Sequence, residues 1–118
     1  MNLLHFAAER DVPSIAVWLL EKGLDVNSRD LDNRTALHHC AINGTEVCAC
    51  FLISNGADLN SKDINGNTPL HLSIKNSSRE ETIDVFKKLL LKGAERQIQN
   101  DKGETPLDIL KQKLSKVD

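Results

Sequence analysis

Histidine and cysteine are the residues of this 118-residue chain whose chemistry could support a metal site or a nucleophile. Three histidines recur at a fixed interval, since the step from His5 to His38 equals the step from His38 to His71. A second group is close together in the chain and comprises His38, His39, Cys40, Cys48 and Cys50. Imidazole and thiolate are the usual zinc ligands, and a thiolate beside an imidazole is a common nucleophile.

Neither group has the spacing that these chemistries require. The equal steps put each of the three regularly spaced histidines in a different unit if the structure repeats. In the second group, adjacent helical residues point about 100° apart, and there is no Cys-x-x-Cys or His-x-x-x-His pair. The cysteines fall at apolar helical positions, where they are more simply small core residues. We therefore predict no catalytic residue, no cofactor and no metal, and a protein that is not an enzyme.

A four-residue word carries the three histidines and marks a repeating element. It reads, in order along the chain, Asn2-Leu3-Leu4-His5, Thr35-Ala36-Leu37-His38, Thr68-Pro69-Leu70-His71 and Thr105-Pro106-Leu107-Asp108. Two other landmarks keep the same register, with four extra residues in the third unit: Gly23, Gly56 and Gly93, and then Asp30, Asp63 and Asn100. Three landmarks in phase over three periods indicate stacked units and a binding surface rather than one enclosed pocket.

Each unit is predicted to be helix, turn, helix and hairpin. In the second unit, apolar residues recur at helical spacing after Thr35, and Asn43-Gly44 then breaks the run. A second helix follows and ends at Gly56, and Asn65-Gly66 suits the tip of a hairpin. The first helices carry small residues for close stacking, and the second helices are expected to supply bulk through Ile15, Leu19, Leu20, Leu52, Ile53, Val85, Leu89 and Leu90.

The repeated word and its period resemble the ankyrin repeat, whose signature T-P-L-H-x-A recurs every ~33 residues. The resemblance implies an all-α α-solenoid, an ankyrin repeat stack of helix-turn-helix units with short β-hairpin fingers. It divides a single domain, 1–118, into repeats at about 1–34, 35–67 and 68–104, the last with a four-residue insertion, and a partial repeat at 105–118. It also implies a structural, hydrogen-bonding role for the motif residues His5, Thr35, His38, Thr68, His71 and Thr105.

Composition narrows the choice of partner and compartment. Lys and Arg total 15 against 17 Asp and Glu, so the net charge of -2 gives no reason to expect nucleic acid. No apolar run approaches the ~20 residues that span a bilayer, and we expect no direct membrane insertion. Three cysteines without a framework spacing favour a reducing compartment. We expect a cytoplasmic monomer.

Ankyrin stacks generally bind proteins on the concave surface formed by fingers and first helices, so the resemblance implies a protein partner there. The residues placed on that surface are Glu9, Arg10, Leu31, Asp32, Arg34, Ile42, Asn43, Ile64, Asn65, Asn67, Lys75, Asn76, Asp101, Lys102 and Glu104. Among them, Leu31, Ile42 and Ile64 are predicted to form a small apolar patch. The alternative is that Leu31 and Ile64 pack only on neighbouring fingers.

Two further features bear on the context of the chain. The four-residue insertion falls within 75–82, where the Ser78 to Glu81 spacing is typical of a capping box, and a role in partner binding is open. Only one helix fits after Thr105, which predicts either a segment of a larger protein or a stack whose end is closed by something else. The closing residues resemble last repeats of Arf GTPase-activating proteins, palmitoyltransferases and acyl-CoA-binding proteins, so a regulatory or targeting appendage of an enzyme is the alternative function. A spacer between domains is a third.

Overall fold

Seven helices and the turns between them make up the structure, a computed structural model that describes residues 1–75 and 80–115, with the backbone alone for 80–82. The helices are α1 (Leu3–Arg10), α2 (Pro13–Glu21), α3 (Ala36–Asn43), α4 (Glu46–Ser54), α5 (Pro69–Lys75), α6 (Glu80–Leu91) and α7 (Pro106–Ser115). They stack into an elongated body of 47 × 26 × 23 Å. The odd-numbered helices form one layer and the even-numbered helices the other.

The repeated word forms the start of every odd-numbered helix. The backbone N–H of Thr35 donates to Nδ1 of His38 at 3.0 Å, and the N–H of Thr68 donates to Nδ1 of His71 at 3.1 Å. This bond closes the first helical turn, where backbone donors otherwise lack partners. In α7 the carboxylate of Asp108 accepts the Thr105 N–H at 3.0 Å. A carboxylate therefore replaces imidazole in the cap of the last helix.

Small side chains let the odd-numbered helices approach closely. The residues Ala7, Ala8, Cys40, Ala41 and Ser73 are at most 2% exposed. Leucines from the same helices and aliphatic side chains from the even-numbered helices complete one continuous core, which includes Leu4, Leu37, Leu70, Leu52, Val85 and Leu89. The core confirms the prediction that the first helices carry small residues and the second helices supply bulky ones, with one exception. Ile15 is 46% exposed, whereas Cys48 and Val85 at the equivalent positions of the next two units are fully buried.

Three fingers connect the units: finger 1 is residues 30–34, finger 2 is 63–67 and finger 3 is 100–104. Each is a tight turn in which the first and last residues are joined by a backbone hydrogen bond of 2.9 Å, as from Asp30 N to Arg34 O. Adjacent tips are joined as well, because Ile64 N donates to Asp32 O and Asp101 N donates to Asn65 O. The fingers thus form a backbone ladder along one edge of the stack.

The predicted all-α fold class is confirmed, and within the described residues the fingers are hydrogen-bonded turns without β-strand. The predicted Ser78 cap and Asn76 lie outside the described residues. On α7, Leu107 is 53% and Leu114 63% exposed. None of the helices in the described part of the chain has the length and apolar character needed to span a bilayer.

Candidate functional site

The three regularly spaced histidines have both ring nitrogens engaged. Nδ1 of each accepts a backbone N–H of the cap, so the proton must lie on Nε2. That Nε2–H donates to a carbonyl: Ser28 O for His5 at 2.8 Å, Asn67 O for His38 at 3.0 Å and Glu104 O for His71 at 2.8 Å. Each imidazole therefore ties its helix to the next connecting segment and has no lone pair for a metal.

Burial and these bonds require the histidines to be neutral. Desolvation lowers the pKa of His38 to about 4, and it also lowers the pKa of His5 and of His71. The cysteines are equally unsuited to act as nucleophiles, because burial raises the pKa of Cys48 to about 12 and raises the pKa of Cys40 further. Within the described residues, no group of three or more His, Cys, Asp or Glu is placed to hold a metal ion.

The landmark acids Asp30 and Asp63, with Asn100 at the equivalent position, hold the fingers closed. Oδ1 of Asp63 accepts the backbone N–H groups of Asn65 and Asn67, each at 2.9 Å. Asp30 and Asn100 make the same pair of bonds within fingers 1 and 3. Sequence reasoning noticed these residues only as landmarks. Their fixed place at the start of each turn was the signal for this role, since Asx side chains commonly cap turns in this way.

The second polar atom of each of these side chains bonds differently. Oδ2 of Asp30 lies 2.7 Å from Nε2 of His39 on α3. Oδ2 of Asp63 accepts from Nε of Arg34 in finger 1 at 3.4 Å. Nδ2 of Asn100 donates to Oδ1 of Asn67 in finger 2 at 2.9 Å. The first of these contacts joins finger 1 to α3, in the layer of odd-numbered helices. The other two join each later finger to the finger before it.

The partner residues placed on the concave surface divide by what they contact. Leu31 is 95% and Ile64 60% exposed, at equivalent finger tips. Six polar or charged positions are also exposed: Arg10, Asp32, Asn65, Asp101, Lys102, and Lys75 at the end of α5. Glu9, Ile42 and Asn43 are partly buried, and the Asn43 amide donates to His39 O. Arg10 lies over the Phe6 ring at 5.1 Å, on the first unit.

Three of those residues also hold the stack together. Arg34 bonds Asp63, and Asn67 is only 3% exposed and accepts from Asn100. Both carboxylate oxygens of Glu104 accept hydrogen bonds, one from Asn100 and one from Gln112. The sequence predicts solvent-facing contacts at these positions. The structure gives their side chains internal partners as well.

We call the face formed by the three finger tips and by the C-terminal ends of α3 and α5 the finger–helix surface. Its first half, at the junction of fingers 1 and 2, carries the exposed aliphatic side chains of Leu31 and Ile64, whereas Ile42, near the end of α3, packs against the core. Its second half, at the junction of fingers 2 and 3, is polar and contains a pocket of about 210 Å³. The residues that line this pocket are Asn65, Asn67, Lys75, Asn100, Asp101 and Lys102.

A larger groove of about 380 Å³ lies at the C-terminal end of the stack, between α5, α6 and α7. Its walls are mainly apolar and include Leu70, Ile74, Phe86, Leu90 and Leu110. The equivalent position between α3, α4 and α5 is filled by α6, whose Val85 and Leu89 are fully buried there. The groove therefore continues the packing interface of the stack and is separate from the finger–helix surface.

Comparison with known proteins agrees with the repeat structure. Residues 4–86 match the family model described as ankyrin repeats (3 copies). The ADP-ribosylation factor GTPase-activating protein AGD2 of Arabidopsis thaliana is 44% identical over 43 residues, which cover 36% of this chain and 6% of that protein. Protein fem-1 homolog A of Danio rerio is 48% identical over 54 residues, 35% of this chain and 9% of that protein.

The chain thus corresponds to less than a tenth of the length of either relative. The family match, in contrast, covers more than half of the chain and includes α2 to α5, most of α1, the first part of α6, and fingers 1 and 2. The chain belongs to the ankyrin repeat family.

Proposed function

We propose that the chain is a protein-interaction module that binds a partner protein on the finger–helix surface. The observation that carries the proposal is the pair of exposed aliphatic tips, Leu31 and Ile64. Apolar side chains at 95% and 60% exposure contribute nothing to the core, yet they lie next to each other on fingers joined by the Ile64 N to Asp32 O hydrogen bond. Burying two such side chains in an interface is favourable.

The rigidity of the fingers supports the same function. Each tip is closed by an Asx side chain and tied to its neighbour through the backbone, so a partner would not have to order these turns on binding. Preorganisation of this kind reduces the entropic cost of association. The polar groups around the tips would then orient the partner, as rim residues do in other interfaces.

The test is a double substitution at the tips, Leu31→Ser with Ile64→Ser, compared with Leu91→Ser. Leu91 is 80% exposed at the end of α6, in the layer of even-numbered helices, and so controls for the loss of an exposed leucine. The wild-type chain is immobilised, a retained partner is identified and purified, and its Kd is measured for each variant. We expect the tip variant to bind about tenfold or more weakly, since truncating a residue that carries binding energy costs more than about 1 kcal/mol, and Leu91→Ser to bind normally. Equal affinity of the two variants would refute the proposal.

The second candidate is a regulatory or targeting appendage of a larger enzyme. The local identity to AGD2 favours it, because that protein is by name a GTPase-activating protein and the identity is limited to a small part of it. On this interpretation the same surface binds a protein, but activity lies outside residues 1–118. The complete reading frame distinguishes this candidate from a free-standing adaptor, and a spacer would show no saturable partner at all.

The remaining attributes follow from the same proposal. We propose a single domain over 1–118, cytoplasmic and monomeric, without catalytic activity of its own. The three cysteines support a reducing compartment, since Cys40, Cys48 and Cys50 are free in the structure.

A further inference from the structure

The groove at the C-terminal end of the stack lies where a second helix of the fourth unit would pack. In the first three units, each odd-numbered helix packs against the even-numbered helix that follows it: α1 against α2, α3 against α4 and α5 against α6. Among the described residues, α7 packs against α5 and has no such companion. The groove of about 380 Å³ lies beside α7 and is bounded by α5 and α6. Its position is therefore equivalent to the position of α6 between α3, α4 and α5.

The leucine of the repeated word shows that a packing surface is left open here. In the first three units this leucine is at most 1% exposed, at Leu4, Leu37 and Leu70. Leu107, at the same place in the fourth word, is 53% exposed and lines the groove together with Leu110. Leu114 continues the same face of α7 and is 63% exposed. Terminal units of a solenoid normally present a polar outer face to water. The outer face of α7 is apolar instead, as a helix–helix interface would be.

The stack itself shows which kind of segment fits such a groove. At the equivalent position α6 buries Val85 and Leu89 completely, and these two residues lie four positions apart on one face of the helix. On its other side α6 exposes Asp84 and Lys87 to solvent. An amphipathic helix is thus the element that already fills this position one unit earlier.

The walls of the open groove are bulkier than those of the filled one. The residues Ile74, Phe86 and Leu110 line it, and the equivalent residues one unit earlier are Ala41, Ala49 and Ser73. Larger wall residues keep an incoming helix farther from the stack, because its backbone cannot approach as closely as that of α6. Long aliphatic side chains are therefore needed to reach the floor of the groove, and leucine suits this distance better than alanine or valine.

The geometry of α7 bears on where such a helix comes from. The first and second units turn towards their second helices at Asp11 and Gly44, which have left-handed backbones with φ of 55° and 70°. Each of these residues is nine positions after the first residue of the repeated word, and the equivalent residue of the fourth unit is Leu114. Leu114 is helical, since α7 continues to Ser115. The chain therefore does not turn back at the place where the earlier units do, and a helix from another polypeptide is free of that constraint.

We propose that the groove binds an amphipathic helix of a partner protein, which takes the place of the missing companion of α7. Leucines on one face of that helix would contact Leu107 and Leu110 on α7 and Phe86 and Leu90 on α6. The favourable contribution is the burial of apolar surface on both sides. The proposal goes beyond the function proposed for the finger–helix surface and does not depend on it, because the two surfaces are separate.

Two synthetic peptides of the same composition test the proposal. Both contain Ala, Glu, Lys and three leucines. In the first peptide the leucines are at i, i+4 and i+7 and share one helical face, and in the second the order is changed so that they point in different directions. The readout is the methyl chemical shifts of Ile74, Leu90 and Leu110 in isotope-labelled protein. We expect saturable shifts with the first peptide and binding at least about fivefold weaker with the second, because a contact that carries binding energy is worth more than about 1 kcal/mol.

Substitutions then assign the shifts to the groove. Leu107→Ser should weaken binding of the first peptide about fivefold or more, whereas Leu107→Met retains an apolar side chain and should bind nearly as well as wild type. Leu31→Ser removes a leucine that is 95% exposed on finger 1 and should change nothing. Circular dichroism and urea midpoints check that each variant is folded. If Leu107→Ser does not fold, the comparison of the two peptides on the wild-type chain decides alone.

Three results would overturn the proposal. The first is equal binding of the two peptides, or no saturable shift with either, because the groove would then not select a helical face. The second is a set of shifts at the same methyl groups when the protein is concentrated without peptide, which would assign the groove to a second copy of this chain. The third is loss of peptide binding in the complete natural protein, which would assign the groove to another segment of the same polypeptide.

Discussion

Gly66 is the position where the finger ladder leaves no room for a side chain. Its φ is +76°, and a Cβ there would lie 2.6 Å from Oδ1 and 2.8 Å from the backbone N of Asp101 in finger 3. Gly103 occupies the equivalent position in finger 3 with nearly the same φ, +75°, and a Cβ there meets nothing within 4 Å. Gly66→Ala and Gly103→Ala therefore apply the same backbone strain but differ in the steric contact.

The expected cost of each substitution follows from those distances. A non-glycine residue in the left-handed region costs about 1–2 kcal/mol, and this is the whole expected effect of Gly103→Ala. Gly66→Ala adds a contact with a backbone nitrogen, which no rotamer change can relieve. Finger 3 must move away, which weakens the 3.0 Å hydrogen bond from Asp101 N to Asn65 O. Overpacking and the lost bond add about 1–3 kcal/mol, so we expect a total of about 2–5 kcal/mol for Gly66→Ala.

Urea unfolding followed by far-ultraviolet circular dichroism measures the difference. Trp18 is a poor probe for this purpose, because it is already 56% exposed in the folded state, with the Lys22 ammonium 5.6 Å from its ring. With an m-value of about 2 kcal/mol/M, the two variants should differ by about 1 M in their midpoints. Equal midpoints for Gly66→Ala and Gly103→Ala would refute the tight contact between fingers 2 and 3.

Two further predictions concern the ties between units. The unfolded His38 binds a proton below about pH 6.5, whereas the folded side chain resists protonation until about pH 4. Stability is therefore complete above pH 6.5 and falls by up to about 3 kcal/mol as the pH drops towards 4. Urea midpoints that stay constant across this window would contradict the buried neutral imidazole, and His38→Gln should flatten the slope. Thr45→Val removes the 2.6 Å hydrogen bond from Oγ1 to Ala8 O between the first two units and should cost about 1–2 kcal/mol by urea unfolding. Thr45→Ser retains the hydroxyl, and a similar loss in both variants would mean that the bond is unimportant.

The sequence predicted the features that recur locally within each unit. The capping word, the glycines after the second helices and the Asn65-Gly66 turn act over a short stretch of chain, so their types and spacing determine their structure. The small residues at Ala7 and Cys40 were likewise recognisable as core residues, because stacking imposes the same environment on every unit.

Contacts between units were harder to predict, because they join residues about one repeat apart in the chain and depend on side-chain length. Arg34 and Asn67 occupy equivalent positions, but one reaches Asp63 as a donor and the other accepts from Asn100. His5 shows the same limit, since it bonds Ser28 O where the two later histidines bond the last residue of a finger. A repeat pattern predicts which positions are equivalent in successive units. It does not predict which residue each side chain bonds.

The contacts between fingers explain how finger backbones of nearly the same conformation can present different surfaces to a partner. Every finger is closed by the same pair of Asx bonds, so the backbone presented to a partner is nearly constant from one finger to the next. Differences arise only where side chains extend past that backbone. Between fingers 1 and 2, the gap is spanned by Arg34 and Asp63, leaving Ile64 to project. Between fingers 2 and 3, the shorter Asn67 leaves a polar pocket. Recognition in this chain would therefore be encoded at a few equivalent positions, where a change in side-chain length alters the binding surface without disturbing the ladder that supports it.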